Sequence, residues 1–211
     1  MKKNIFMILI ILPIFLCGCS LNNNLKNNTK TDNKNSTNNT SFNQENYNYT
    51  AEKTSVEKPI EETLYSFSTQ ILDKDSGRQN NISLTCSSLN GTIVESGSTF
   101  SFCDTVGKAL PERGYQKAKI FDEDGNVTQG YGGGNCQVSS TLYNVVLQDT
   151  NFEVVERHPH AQKVYYVESG KDAAVACGSV DFKFKNNNPF NIRIDASTDG
   201  NYVYVNILRV Y

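Results

Sequence analysis

The stretch Gly132-Gly133-Gly134-Asn135-Cys136-Gln137-Val138-Ser139-Ser140-Thr141-Leu142-Tyr143-Asn144-Val145-Val146 organises the chain. Three consecutive glycines do not hold regular structure and mark a loop. Val138, Leu142, Val145 and Val146 then fall at i, i+4, i+7 and i+8, which predicts a helix over 136–149 with one apolar face. A cysteine thus stands at the first turn of the strongest helix in the sequence. Free N–H groups and the helix dipole stabilise negative charge there, an environment that lowers a thiol pKa and raises the thiolate fraction. The same N–H groups, with the glycine backbone, are placed to form an oxyanion hole. The glycines are also expected to leave the thiol open to a substrate.

Working outward, 152–157 reads as a strand returning from this helix. More strands are expected at 164–167, 173–177, 180–185, 190–196 and 202–208, with turns at Gly170, Asn188-Pro189 and Asp199-Gly200. Upstream, Leu64, Phe67 and Ile71 at helical spacing predict a helix over 61–72. Ile82, Cys86 and Leu89 predict a second over 80–90, stopped by Gly91. Strands at 92–94 and 99–103 follow, and Asp124-Gly125 signals a hairpin joining 119–121 to 127–128. Helices first and strands later indicate an α+β domain: N-terminal helices plus a mainly antiparallel sheet, with the Cys136 helix packed against it.

The chain has 211 residues, 38% hydrophobic and 20% charged, with a net charge of −2. That balance argues against nucleic acid as a partner, since bulk phosphate binding needs a basic surface. Lys2 and Lys3 precede an apolar run over 5–16 that is too short to span a bilayer, and Leu16-Cys17-Gly18-Cys19 follows. This resembles a bacterial lipobox. Residues 1–18 are therefore read as a lipoprotein signal peptide, with Cys19 lipidated as the new N-terminus. Cleavage would remove both lysines and take the net charge from −2 to −4. From Asn22 to Asn48, 12 of 27 residues are Asn, a composition unable to bury enough apolar area to order itself. Residues 19–59 are read as a disordered tether with a root-mean-square reach of roughly 35 Å, and 60–211 as one folded domain. The expected location is the extracellular face of the cell membrane, held by lipid.

Four cysteines fall in the domain: Cys86, Cys103, Cys136 and Cys177. Export permits disulfides, and a Cys86–Cys103 bridge is one option. Cys86 otherwise reads as a core residue on a helix face, and Cys103 and Cys177 as free or structural thiols. Cys136 alone has a chemical setting. The two histidines of the chain, His158 and His160, close the strand that follows its helix. Fourteen helical residues rise about 21 Å and seven strand residues return about 23 Å, so either histidine is within reach of Cys136. Cysteine with histidine is the minimal machinery of thiol acyl transfer. Cys136, His158 and His160 also offer three zinc donors, but their spacing matches no metal motif, and no metal or cofactor is assigned.

The residues 132–144, with Val154-Val155-Glu156-Arg157-His158-Pro159-His160, Val164-Tyr165-Tyr166-Val167 and Gly170-Lys171-Asp172-Ala173, resemble the VanW domain family. Phe100-Ser101-Phe102, Glu112-Arg113-Gly114-Tyr115 and Asp181-Phe182-Lys183-Phe184 agree, so the resemblance covers about 61–195. It implies cell-wall work as an L,D-transpeptidase with a cysteine nucleophile acting on peptidoglycan stem peptides. Carried over, Cys136 is the nucleophile and His160 the general base, with His158 its neighbour or alternative. Asp172 would orient the base or bind an amine, and Arg113 would bind a substrate carboxylate. Gly133, Gly134 and Gln137, around the nucleophile, are further candidates for substrate contact. The sequence departs from the family pattern at Cys103, where Asn is usual, and at Cys177-Gly178, which replaces an aromatic-containing turn. Two rival readings use the same residues: a non-catalytic lipoprotein binding wall peptides or glycopeptides, and a papain-like wall peptidase or carboxypeptidase.

Overall fold

The computed structural model describes residues 61–121 and 125–211. The signal peptide read at 1–18, the lipidation site Cys19, the tether at 19–59 and the turn residue Asp124 lie outside the described residues. In chain order the elements are β1 (Glu61–Gln70), α1 (Ser76–Leu89), β2 (Thr92–Val94), β3 (Thr99–Ser101), α2 (Phe102–Val106) and a 3-10 turn (Pro111–Arg113). They continue with β4 (Lys117–Phe121), β5 (Val127–Tyr131), α3 (Asn135–Val146), β6 (Phe152–Glu156), β7 (Lys183–Asn186), β8 (Asn191–Thr198) and β9 (Tyr202–Val210). The class is α+β. Every described strand pairing is antiparallel, in sheets ordered β1-β9-β8-β2 and β3-β7-β6 and a β4-β5 hairpin.

The periodicity of α3 does what its spacing predicts. Val138, Leu142, Val145 and Val146 are fully buried and α3 packs across β1 and β9. The core continues through Ile82 and Leu89 of α1, Ile192 and Ile194 of β8, Val205 and Ile207 of β9, and the aromatic group Phe100, Phe152, Phe182 and Phe184. α1 is capped by Asp75, whose side chain accepts from the Arg78 N–H.

Three local expectations are corrected. The predicted helix over 61–72 is the edge strand β1, in register with β9 from Glu61↔Val210 to Gln70↔Tyr202. Leu64, Phe67 and Ile71 are at helical spacing by coincidence: most of the segment is exposed, and Thr, Tyr, Phe and Ser favour a pleated partner. The strand expected over 99–103 stops at Ser101, which turns the chain by capping α2 through the Asp104 N–H. The strands expected at 164–167 and 173–177 are irregular chain, the second touching its neighbours by the isolated bridges His158↔Ala174 and Ala176↔Val180.

Cys103 pairs with Cys177, not Cys86, across 74 residues of sequence, with Cα atoms 5.1 Å apart. Cys86 is buried on the inner face of α1, and burial pushes its thiol up to about 12. Replacing Cys103 and Cys177 together by serine is expected to lower the unfolding free energy by about 2–4 kcal/mol, because the bridge closes a long loop in the unfolded chain. Urea midpoints of the oxidised wild type and the double variant check this; equal midpoints would count against the bridge.

Candidate active site

The site begins with how the glycine loop is held. Gly134 precedes α3 at φ 113°. A Cβ at Gly134 would lie 2.7 Å from Ile82 of α1, and one at Gly133 would lie 2.7 Å from the Lys119 carbonyl of β4. Both glycines are buried. They let the loop press into the angle between α1 and the hairpin, so they serve packing and do not face a substrate as the sequence suggested. Polar groups of α1 complete the seat: Asn81 Nδ2 donates to the Gly133 carbonyl and the Thr85 hydroxyl donates to Asn135 Oδ1 at 2.8 Å.

Cys136 then projects from the first turn of α3, whose N-terminus has no side-chain cap. The Asn135 N–H donates to Gly132 O and the Gln137 N–H to Gly134 O, while no acceptor among the described residues takes the Cys136 N–H. The partly buried sulfur lies 3.4 Å from both the N–H and the carbonyl of Val175. Val175 is brought there by the polar face of α3. The Ser139 hydroxyl donates to the Ala173 carbonyl at 2.6 Å, the Ala173 N–H donates to Ser140 Oγ at 2.9 Å, and Asn144 Nδ2 donates to the Lys171 carbonyl. The segment 171–175 is thus laid along the helix without forming a strand.

That segment carries Asp172, and Asp172 carries the histidine. Its Oδ2 lies 2.7 Å from both the backbone N–H and the Nδ1 of His160. Its Oδ1 accepts from Arg157 Nη2 at 2.7 Å, and the Asp172 carbonyl accepts from Arg157 Nε. With Nδ1–H given to the carboxylate, Nε2 of His160 is left for the sulfur. Burial lowers the His160 pKa, but the hydrogen bond and charge of Cys136, followed by those of Asp172, outweigh it and raise the imidazole above its usual 6.5. Burial raises the Asp172 carboxyl, yet the His160 N–H and imidazole and the Arg157 charge hold it below 3.8. Cys136, His160 and Asp172 thus stand in sequence, thiol to imidazole to carboxylate, an arrangement able to serve as nucleophile, base and orienter.

The remaining sequence candidates are placed elsewhere. His158 Nε2 lies 3.0 Å from Glu156 Oε1 in an exposed cluster with Lys183, and its main chain bonds Ala174, so it supports the site's backbone and does not reach the sulfur. Among the described residues no group of three His, Cys, Asp or Glu is arranged to hold a metal. Arg113 donates to the Lys108 carbonyl and lies 5.8 Å over the Tyr115 ring, away from the array. Gln137 is buried with both ends used: Nε2 donates to Thr69 Oγ1 and the Gln70 carbonyl, and Oε1 accepts from Arg78 at 2.8 Å. It ties β1 and α1 to α3.

Two contributors had no assigned role in the sequence. Arg157 braces Asp172 and also lies 5.5 Å over the Tyr143 ring of α3; its place directly before the histidine pair was the available signal. The Tyr166 hydroxyl is buried without a hydrogen-bond partner of normal geometry. Burial first, then the Cys136 charge, drive its pKa above the usual phenol range, so it remains a proton donor beside the sulfur.

Asp172→Asn is expected to lower the His160 pKa toward or below 6.5, because burial would then be opposed by Cys136 alone. The native imidazole value lies above the unfolded one, so its stabilisation is complete below about 6.5 and is lost as pH rises through the native value. The Asp172 contribution is present above its unfolded value and is lost as pH falls through the depressed native one. An NMR titration of the imidazole in both proteins checks the shift; an unchanged midpoint would refute the pairing.

With this geometry in hand, comparison with known proteins places the chain. A family model described as VanW like protein matches residues 77–208. The chain is 39% identical over 132 residues to the uncharacterized protein YoaR of Bacillus subtilis (strain 168), covering 62% of this chain and 43% of that one. It is 31% identical over 124 residues to the Vancomycin B-type resistance protein VanW of Enterococcus faecalis (strain ATCC 700802 / V583), covering 56% of this chain and 44% of that one. The chain therefore spans less than half the length of these curated relatives. No solved structure matches it. The family match takes in Cys136, His160 and Asp172 and more than half of the 211 residues, and the chain belongs to the VanW-like family.

Proposed function

We propose that the protein is a membrane-anchored peptidoglycan L,D-transpeptidase working through a Cys136 acyl-enzyme. The observation that carries the reading is the partly buried array of Cys136, His160 and Asp172, in which one nitrogen of the imidazole is fixed by a carboxylate and the other is left to a thiol at a helix N-terminus. That arrangement suits acyl transfer through a thioester. The wall substrate rests on the family resemblance and on a relative named for vancomycin resistance. The anchor rests on the Leu16-Cys17-Gly18-Cys19 signal, with Cys19 taking the lipid.

In this reading the Cys136 sulfur, having yielded its proton to His160 Nε2, attacks the carbonyl between the third and fourth residues of a stem peptide. The Cys136 N–H and the Tyr166 hydroxyl are the nearby donors for the oxyanion. The C–N bond breaks, the departing D-Ala amine takes the proton from His160, and a thioester remains. An amine from a second stem then attacks the thioester carbonyl and gives its proton to His160. The thiolate leaves, and a 3–3 cross-link has formed. One amide bond is exchanged for another, so no nucleotide is consumed. Water in place of the amine gives L,D-carboxypeptidase products from the same intermediate.

Incubation of the purified protein with muropeptides, followed by mass spectrometry, tests this. Dimers that have lost one D-Ala are expected from the wild type and none from Cys136→Ala, with His160→Ala slower by roughly 10²–10⁴-fold. Shortened monomers alone would make the protein a hydrolase. Wall-peptide binding without turnover, unchanged in Cys136→Ala, would make it a binding protein.

A further inference from the structure

Beside the array lies a cavity of about 270 Å³ whose walls include Arg78, Leu72, Lys119, Ile120, Tyr165 and Tyr166. It is close to the roughly 300 Å³ at which small-ligand sites begin, room for the end of a peptide. Its walls are largely apolar, but three of its lining residues are cationic: Arg78, Lys119 and Lys163. Among the described residues one carboxylate lines it, Asp73, 3.9 Å from Lys119 Nζ. Over the described residues the lining thus carries three cations and one carboxylate.

Arg78 is the unusual member. Its Nη2 is tied to Gln137 Oε1, and Gln137 is itself held by Thr69 and the Gln70 carbonyl. The guanidinium is thus fixed before any ligand arrives. Its Nε is buried and without a partner. A buried donor left unpaired costs on the order of 1–3 kcal/mol, and none of the described residues offers this one an acceptor. Tyr166 joins the cavity to the chemistry: it lines the cavity, and its hydroxyl senses Arg78 together with Cys136 and Asp172.

We infer that this cavity binds the C-terminal carboxylate of the acyl-donor peptide, with Arg78 as its ligand and Lys119 and Lys163 adding charge. A carboxylate is the anion that matches a guanidinium fork, and the apolar walls suit a small side chain. This rests on the acyl-transfer reading, in which the residue that leaves carries a free carboxylate one residue beyond the attacked carbonyl. It moves the carboxylate-binding role expected of Arg113 onto Arg78.

The test separates binding from turnover. The tetrapeptide L-Ala-γ-D-Glu-L-Lys-D-Ala, as C-terminal acid and as C-terminal amide, is titrated calorimetrically into the full chain carrying Cys136→Ala. The acid is expected to bind about 10- to 100-fold tighter than the amide, as a charged hydrogen bond of roughly 1.5–3 kcal/mol gives. Adding Arg78→Gln is expected to erase the preference while leaving amide binding in place. Lys163→Gln, at an exposed position, is expected to reduce the preference without disturbing the fold. Equal binding of acid and amide, or a preference that survives both substitutions, would overturn the site. A preference that depends on Arg78 in a protein without turnover would keep the site and sink the transferase. Turnover of acid and amide peptides at equal kcat/KM would do the reverse.

Discussion

One carboxylate holds the site together. The Asp172 side chain is only 10% exposed, and a charge so far from water is costly unless its lone pairs are answered. They are answered on both oxygens, by Arg157 on one side and by the ring and backbone of His160 on the other. Both partners come from the chain just after β6, whereas Asp172 belongs to the segment laid along α3. The ion pair therefore fixes the end of a sheet against the start of a helix, which is where Cys136 stands. Arg157 closes the circuit by resting on Tyr143, two turns along the same helix. The imidazole is set by a ring of contacts that begins and ends on α3.

The helix serves two masters. Its apolar stripe fills the core, and its opposite face uses Ser139, Ser140 and Asn144 where a strand would use a backbone ladder. Ser140 also donates back to the Cys136 carbonyl at 2.7 Å, a local bond typical of serine within helices. Irregular chain at 171–175 can thus be seated accurately without a sheet partner. Its far end is closed two residues beyond Val175 by the Cys103–Cys177 bridge. Cys103 and Cys177, the two positions read in the sequence as departures from the family pattern, are thus joined in one covalent stay on the irregular segment behind the sulfur. A structural disulfide belongs to an oxidising compartment, in keeping with the export proposed here.

What was legible in the sequence follows from the range of the forces involved. The period of α3 and the apolar face of α1 are local and burial enforces them, so spacing alone located both. The strand β1 was not legible, because its partner β9 lies more than 130 residues away and its own residues are mostly exposed. The glycines were read correctly as a loop and wrongly as an open door: absent side chains admit a substrate or a neighbouring element, and only Ile82 and the Lys119 carbonyl decide which. Cysteine and histidine could be brought into range by counting rises. The residues alone left His158 and His160 open, and only the family resemblance favoured His160; the physical reason is Asp172, whose approach is set by serines on a helix face that reads, in one dimension, simply as the polar side.

The space around the sulfur bears on transfer against hydrolysis. Lys163, Val164, Tyr165 and Tyr166 wall the Arg78 cavity on one side and a second cavity, lined by Phe67, Asn144, Glu168 and Lys171, on the other. A hydrolase needs one peptide site and access for water. A transpeptidase must hold an acyl donor and an amine acceptor at the same sulfur, and the thioester survives to meet the amine only if the donor's departure does not simply flood the site. Two cavities that share one tyrosine-bearing wall would give each peptide of the proposed transfer its own approach. Net charge does not separate the two, since Lys163 lines both and Lys171 stands with Glu168 in the second; what sets the first apart is the guanidinium of Arg78, fixed by Gln137.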